Sequence, residues 1–130
     1  MEYTIGEFSR RTNLTAPALR YYEQEELLVV ARDAGGRRFY TEADETWVLF
    51  IKRLKDTGMP IREIRQYAKL RYQGESTMPE RLALLKQHQK QVLAEQKKIK
   101  EHLKNLETKI QWYEDQIEVA KKPVTEQKIH

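Results

Sequence analysis

The chain has 130 residues, of which 39% are hydrophobic and 34% are charged, and its net charge is +4. This length fits one domain with an extension, and a core this small favours association between copies. No apolar run reaches the about 18 residues of a membrane span, and no signal-peptide pattern opens the chain. We therefore expect a cytoplasmic protein with no membrane partner. The absence of cysteine and the wide separation of the three histidines predict no metal and no cofactor.

The type of cation changes along the chain. All six cations in residues 1–40 are arginine, whereas ten of the eleven from residue 73 onward are lysine. Arginine presents a rigid fork to phosphates and guanine edges, while lysine solvates a helix surface. Residues 1–40 also carry six acidic side chains, so their net charge is zero. The arginine pattern favours nucleic-acid binding there, with chance codon usage as the alternative.

The first 25 residues predict two short helices. A capping box of Thr4 and Glu7 begins a helix over about 5–11. Thr15 is a candidate N-cap, with Pro17 in the first turn, for a helix over about 16–25. Two short helices around so tight a turn are typical of a helix-turn-helix, although many helical hairpins share the pattern. The expected shared core is Ile5, Phe8, Leu14, Leu19 and Tyr22.

A hairpin and two further helices follow. β-prone stretches at 28–32 and 37–40 flank the turn-rich segment 33–36, which predicts a wing with Arg37 and Arg38 at its tip. A capping box of Thr41 and Asp44 begins a helix over about 42–56, and a second helix spans about 60–72. Gly58 and Gly74 are candidate helix stops. The expected inward residues are Ala43, Trp47, Phe50, Ile51 and Leu54, then Ile61, Ile64, Tyr67 and Ala68.

The segment from about 78 to 118 predicts one long helix, introduced by a third capping box of Thr77 and Glu80. Its apolar positions alternate by three and four residues, as in a coiled coil, with Gln89 and Gln96 at two polar seam positions. A helix of about 40 residues spans roughly 60 Å, too long to fold back on a domain this small. A second copy is the simplest partner. The predicted dimerisation residues are Leu82, Leu85, Val92, Ile99, Leu103, Leu106, Ile110, Tyr113 and Ile117.

These elements predict a mainly α fold, in which a winged helix-turn-helix with a small β-hairpin wing precedes a long C-terminal dimerisation helix. The predicted domains are a DNA-binding domain over 1–73, a coiled-coil helix over 74–120 and a disordered tail over 121–130.

The order of these elements resembles the MerR family of bacterial regulators. The motifs that carry the resemblance are Tyr3-Thr4-Ile5-Gly6-Glu7, Leu19-Arg20-Tyr21-Tyr22-Glu23, Gly36-Arg37-Arg38-Phe39-Tyr40 and Asp56-Thr57-Gly58-Met59-Pro60-Ile61. The family often has Gly where this chain has Glu26, and Pro where it has Val30, which should adjust the angle of the wing. The resemblance implies an antiparallel dimer coil.

Residues from Gly58 through Arg81-Leu82-Ala83-Leu84-Leu85 also resemble the aldehyde- and nitrosothiol-responsive branch of the family. That branch commonly carries a reactive cysteine on the helix expected here over 42–56. Because this chain has no cysteine, direct thiol sensing is excluded, and so is the thiolate chemistry of the metal-sensing branch.

We expect the second helix to lie in the major groove as a recognition helix, and the wing to contact the sugar-phosphate backbone of the DNA. The candidate DNA-binding residues are Thr15, Ala16, Arg20, Tyr21, Arg37, Arg38, Tyr40 and Arg62. The alternatives are a salt bridge from Arg20 to Glu23 or Glu25, a cap alone for Thr15, a solvated surface position for Arg38, and packing under the wing for Tyr40. Candidate effector-pocket residues are Trp47, Phe50, Tyr67 and Tyr72, whose helical spacing is more typical of core.

The resemblance implies a transcription regulator that binds a pseudo-palindromic operator as a homodimer and distorts the promoter spacer for RNA polymerase. The alternatives are a constitutive or architectural DNA binder and a coiled-coil adaptor for protein partners. No catalytic motif is visible, so no enzymatic activity is expected. The sequence names no effector molecule.

Overall fold

The computed structural model describes residues 1–122, so residues 123–130 of the predicted disordered tail lie outside the described part. The elements in chain order are β1 Glu2–Tyr3, α1 Ile5–Thr12, α2 Ala16–Gln24, β2 Ala31–Arg32, β3 Arg38–Thr41, α3 Glu42–Asp56, α4 Ile61–Gln73, a 3-10 turn Glu75–Thr77 and α5 Met78–Lys121. The predicted fold class is confirmed. The chain divides into two compact units, Met1–Gln89 (unit 1) and a second from Lys90 onward (unit 2).

Side-chain caps begin the first three helices. The Thr4 hydroxyl accepts from the Glu7 N–H at 3.2 Å, and the Glu7 carboxylate accepts from the Thr4 N–H at 3.0 Å. Thr41 and Asp44 repeat this box on α3, and the Thr15 hydroxyl caps α2. Each pair satisfies backbone N–H groups that have no partner inside a helix. These helix starts follow the sequence prediction because caps depend only on residues three positions apart.

Two left-handed residues shape the ends of the helix-turn-helix. Asn13 has φ 56° at the end of α1, and Glu26 has φ 63° just after α2. The Leu27 N–H donates to the Tyr22 carbonyl at 2.9 Å and the Glu26 N–H donates to the Glu23 carbonyl at 3.1 Å, which is a Schellman end. Glycine would adopt this positive φ with less strain than Glu26 does.

The wing belongs to a three-stranded sheet of order β1-β3-β2. No pattern in the sequence predicted β1, which pairs Tyr3 with Tyr40. The first wing strand is shorter than predicted, because Leu27 and Leu28 are buried in the core instead of pairing across the hairpin. The Trp47 indole N–H donates to the Leu27 carbonyl at 2.8 Å and fixes this segment against α3.

Unit 1 has one hydrophobic core shared by the helix-turn-helix, the sheet, α3 and α4. Predicted core residues are confirmed there, although Ala43 in the first turn of α3 is exposed and Ile5, Leu14, Phe50 and Ile61 are only partly buried. The buried hydrophobic residues are Tyr3, Phe8, Leu19, Tyr22, Leu27, Leu28, Tyr40, Trp47, Val48, Ile51, Leu54, Met59, Ile64, Tyr67 and Ala68.

The first turns of α5, as far as Gln89, belong to unit 1. Leu84 and Leu85 lie against its core, and His88 is buried with its Nε2 2.8 Å from the Thr57 hydroxyl. The compact unit therefore extends past the predicted boundary at residue 73. The predicted capping box before α5 is wrong, because the Thr77 hydroxyl lies 2.6 Å from the Leu70 carbonyl and accepts from Arg81. None of the helices within residues 1–122 is long and apolar enough to cross a membrane.

Candidate nucleic-acid interface

The helix-turn-helix exposes one face of α2. Leu19 and Tyr22 are buried and fix α2 on the core, which turns the opposite face outward. Thr15 and Arg20 are exposed, and Tyr21 is 42% exposed. Ala16, in the first turn, is partly exposed. The four candidate DNA-binding residues at and within α2 therefore all have side chains that reach the surface.

Arg20 is an exposed cation without an ion pair in residues 1–122. The two carboxylates considered as its partners are engaged elsewhere, since Glu23 binds two wing arginines and Glu25 binds Arg65. The salt-bridge alternative for Arg20 is thus wrong in this structure. A guanidinium that no carboxylate neutralises keeps its full charge for a phosphate or a guanine.

The wing turn is held by one aspartate. The Asp33 carboxylate accepts from the Gly35 N–H at 2.9 Å and from the Arg37 N–H at 3.0 Å. Gly36 adopts φ 80°, which the turn requires and a side chain would strain. The Arg37 side chain is exposed where the turn rejoins β3, as predicted for a wing cation.

A carboxylate on α2 binds both wing strands. Glu23 Oε1 lies 3.0 Å from Arg32 Nη2, and Glu23 Oε2 lies 2.9 Å from Arg38 Nε. The hydrogen bond to Glu23 raises the pKa of Arg38 above its ordinary value. The expected position of Arg38 at the wing tip is wrong, because it lies in β3 and faces α2. Glu23 was considered only as a partner of Arg20, since nothing in its local sequence indicates a partner 15 residues away.

A cleft of about 510 Å³ separates the recognition helix and β1 from the wing. Four arginines line it, two bound to Glu23 and two, Arg20 and Arg37, without an ion pair in the described chain. Thr4 and Ile5, at the start of α1, complete one side. Glu2 and Asp33 also line the cleft, and the capping box occupies the start of α1, so the two free guanidinium groups are the features that attract an anion such as a DNA phosphate.

Tyr40 was predicted to contact DNA, and this is wrong. Its side chain is fully buried beneath the wing, with its ring stacked on Phe8 at a centroid distance of 4.4 Å. Burial raises the pKa of Tyr40 above its ordinary value of 10.0. The alternative of packing under the wing is the one that the structure shows, because the aromatic ring links β3 to α1.

Arg62 is exposed near the start of α4, where it lines a groove of about 560 Å³ with Arg65, Lys69 and Tyr72. Arg65 is bound to the Glu25 carboxylate and carbonyl. Arg62 and Lys69 make no ion pair in the described residues, so this face of α4 has a positive charge that phosphates would favour.

The four candidate effector residues are brought together, but as packed aromatics. Trp47 stacks on Tyr67 at 5.7 Å and meets the edge of Tyr72 at 6.5 Å, while Phe50 lies 5.6 Å from Tyr67. The Arg71 guanidinium covers the Trp47 ring at 4.6 Å. These contacts favour the core interpretation for Trp47, Phe50 and Tyr67, whereas Tyr72 is 41% exposed.

The described part of unit 2 is helical as far as Lys121, and its apolar stripe is exposed. The exposed fractions of Ile99, Leu106 and Ile110 are 61%, 58% and 48%. Val92, Leu103, Tyr113 and Ile117 are exposed as well, and in unit 1 so is Leu82. Leu85 differs from the other predicted dimerisation residues, because it is partly buried against the core of its own chain.

Comparisons with known proteins identify the family. Residues 3–70 match the profile described as MerR HTH family regulatory protein, which is more than half of the chain. The chain belongs to the MerR family. A second profile, described as MerR, DNA binding, matches residues 46–109. The predicted family is confirmed, and this MerR family chain is a transcription regulator with a helix-turn-helix DNA-binding domain.

Three similar proteins cover most of this MerR family chain. An uncharacterized HTH-type transcriptional regulator of Haemophilus influenzae is 34% identical over 115 residues, which is 88% of this chain and 85% of that protein. The structure of HiNmlR, a MerR family regulator lacking the sensor domain and bound to promoter DNA, has a TM-score of 0.76 at 34% identity and covers 88% of this chain and 92% of its own. A MerR family regulator from Bacillus thuringiensis has a TM-score of 0.72 at 35% identity, over 87% of this chain and 100% of its own.

Proposed function

We propose that this MerR family regulator binds a pseudo-palindromic operator within a promoter as a homodimer, and distorts the promoter spacer for RNA polymerase. The observation that carries the proposal is the exposed face of α2 beside an arginine-lined wing, in a chain similar to HiNmlR, which is bound to promoter DNA. It acts in the cytoplasm at the nucleoid and has no catalytic role.

In one DNA-binding unit, α2 enters the major groove with the Thr15 end foremost. Arg20 and Tyr21 reach bases or phosphates, because their side chains project from the face opposite the buried Leu19. Arg37 meets the backbone from the wing, and Arg62 meets it from α4. Phosphate contacts of this kind position the protein, while the α2 side chains select the sequence.

A second copy covers the apolar stripe of unit 2. About half of each stripe side chain is exposed in the single chain, and burying this surface drives association. Dimers with two-fold symmetry match a pseudo-palindrome, since each copy binds one half-site. MerR family regulators are typically dimers, and we place Gln89 and Gln96 at the seam, where polar residues fix register.

Operator distortion follows when the two DNA-binding units of the dimer reach both half-sites only on bent DNA. Smooth bending of a short site costs about 1–6 kcal/mol, which the phosphate contacts of both copies must offset. An effector would act by binding one dimer geometry more tightly than the other. HiNmlR, described as lacking the sensor domain, is bound to promoter DNA. This supports promoter binding by the present chain, which is 34% identical to HiNmlR.

The test is operator binding by the purified protein, measured against salt concentration and beside its mass in solution. We expect a dimer that prefers its own upstream DNA over random DNA, with affinity falling steeply as salt rises. Leu106→Glu should give a monomer that loses this preference, because two buried leucines per dimer become charges. The matched control Lys104→Glu, off the apolar stripe, should remain a dimer.

A wild-type dimer that binds random DNA as tightly as its upstream region would contradict operator recognition and favour the architectural alternative. A monomeric wild-type protein would contradict the dimer. A dimer with no affinity for any DNA would favour the adaptor alternative.

A further inference from the structure

The wing is too short to hold its own position. β2 pairs only Ala31 and Arg32 with β3, and a two-stranded hairpin is marginally stable by itself. On its other side β3 pairs with β1, which supports the base of the wing but not β2 or the turn. The tip therefore needs another tether if Arg37 is to meet DNA at a fixed angle from the recognition helix.

Glu23 provides that tether from α2. Its two carboxylate oxygens bind different strands, Oε1 at 3.0 Å from Arg32 on β2 and Oε2 at 2.9 Å from Arg38 on β3. Arg32 extends the connection to the turn, because its Nη1 donates to the Gly36 carbonyl at 3.1 Å. One side chain thus joins the recognition helix to both strands and to the tip of the wing.

We propose that Glu23 is a positioning residue, which sets the angle between α2 and the wing so that Arg20 and Arg37 reach the DNA together. This inference rests on the proposed function. Arg38 and Arg32 then serve the DNA indirectly, by binding Glu23, while the two unpaired arginines of the cleft make the contacts. If the angle is already fixed in the free protein, the wing does not have to become ordered when DNA binds. Less conformational entropy is then lost on binding, and the affinity is higher.

The direction in which a Glu23 substitution changes DNA affinity distinguishes a positioning role from a purely electrostatic effect of its charge. A carboxylate on a DNA-binding face repels phosphates, so its neutralisation alone should raise affinity. A positioning role predicts a lower affinity, because the loosened wing no longer holds Arg37 at a fixed position relative to the recognition helix. Each partly exposed ion pair shifts an equilibrium by about threefold, and the two factors multiply, so losing both predicts a loss of about tenfold in operator affinity.

The experiment compares Glu23→Gln with Glu26→Gln, which removes the same charge three residues away, where the carboxylate has no ion pair in the described chain. Operator affinity is measured for the full-length variants, and amide hydrogen exchange is measured without DNA. We expect Glu23→Gln to lose about tenfold in affinity and to exchange faster at residues 33–37, with unchanged exchange in α2. Glu26→Gln should bind as tightly as wild type or more tightly.

A second variant guards against misfolding. Glu23→Asp keeps the charge but is one methylene shorter, so it cannot reach both strands and should show faster wing exchange with a smaller loss of affinity. Unchanged exchange at residues 33–37 in both variants would overturn the proposal, and so would operator affinity in Glu23→Gln that equals or exceeds that of Glu26→Gln. The exchange rates test whether Glu23 holds the wing even if the wild-type protein proves to have no operator preference.

Discussion

The ring of Tyr40 lies parallel to the ring of Phe8, with centroids 4.4 Å apart and planes 8° from parallel. Both side chains are fully buried, so this stack joins the wing strand β3 to the first helix of the helix-turn-helix. The wing and the recognition helix therefore depend on one core. The Tyr40 hydroxyl is the exception in this apolar contact, because it is buried with no hydrogen-bond partner in the described residues.

Tyr40→Phe should keep or raise stability. A buried hydroxyl without a partner costs about 1–3 kcal/mol in desolvation, so its removal should raise the free energy of unfolding by up to about 1 kcal/mol. DNA affinity should not change, because the hydroxyl is not at the surface. Urea unfolding and operator binding check both points. Tyr40→Ala is the control and should lose about 3–5 kcal/mol through the cavity it leaves. A marked loss of DNA affinity in Tyr40→Phe would show that the bound state uses the hydroxyl.

Glu26→Gly should stabilise the protein. Glu26 has φ 63°, a conformation that costs an ordinary L-residue about 1–2 kcal/mol and glycine much less. Part of this gain is lost to the freedom of glycine in the unfolded chain, so we expect a net increase of about 0.5–1 kcal/mol. Glu26→Ala keeps the strain and should stay close to wild type. Thermal unfolding distinguishes them, and equal melting temperatures for the two variants would contradict the strain at this position.

Arg20→Ala should weaken DNA binding at all salt concentrations tested. If Arg20 binds a phosphate, the slope of log affinity against log salt should fall by about 1, and loss of affinity should be similar for all sequences. If it reads a guanine, the loss should be about 1–3 kcal/mol at the operator and small on random DNA. Lys104→Ala, on the exposed surface of unit 2, is the control for lost charge. Equal DNA affinity of the two variants would show that Arg20 does not contact the DNA.

The capping box of α1 predicts a dependence of stability on pH. The backbone and side-chain hydrogen bonds of Thr4 lower the pKa of Glu7 below its ordinary value of 4.5. The folded-state pKa is the lower one, so the contribution of Glu7 is fully present above about pH 4.5 and is lost as pH falls through the folded pKa.

Unfolding curves of wild type and Glu7→Gln should therefore differ above that pH and converge in acid. The control Glu2→Gln, at an exposed residue outside the box, should follow wild type throughout. A constant difference between wild type and Glu7→Gln across the acid range would contradict the prediction.

The sequence alone determined the features that depend on near neighbours. The caps at Thr4, Thr15 and Thr41 and the stop at Gly58 were predicted because each uses residues within a few positions. The apolar stripe of α5 was predicted for the same reason, since its period is visible along one helix. The order of the predicted elements indicated the fold class, and the motifs that resemble the MerR family indicated the α2 face with Arg20.

Only the tertiary structure decided which side chains meet across the chain. Contacts between distant segments decide whether Tyr40 faces DNA or Phe8, and whether Leu85 faces a partner or its own core. They also decide whether Glu23 is a surface acid or a tether of the wing. Local sequence sets the periodicity of a strand or helix but leaves open what lies on each face. Packing settles that choice, because burial and ion pairing are properties of the assembled neighbours.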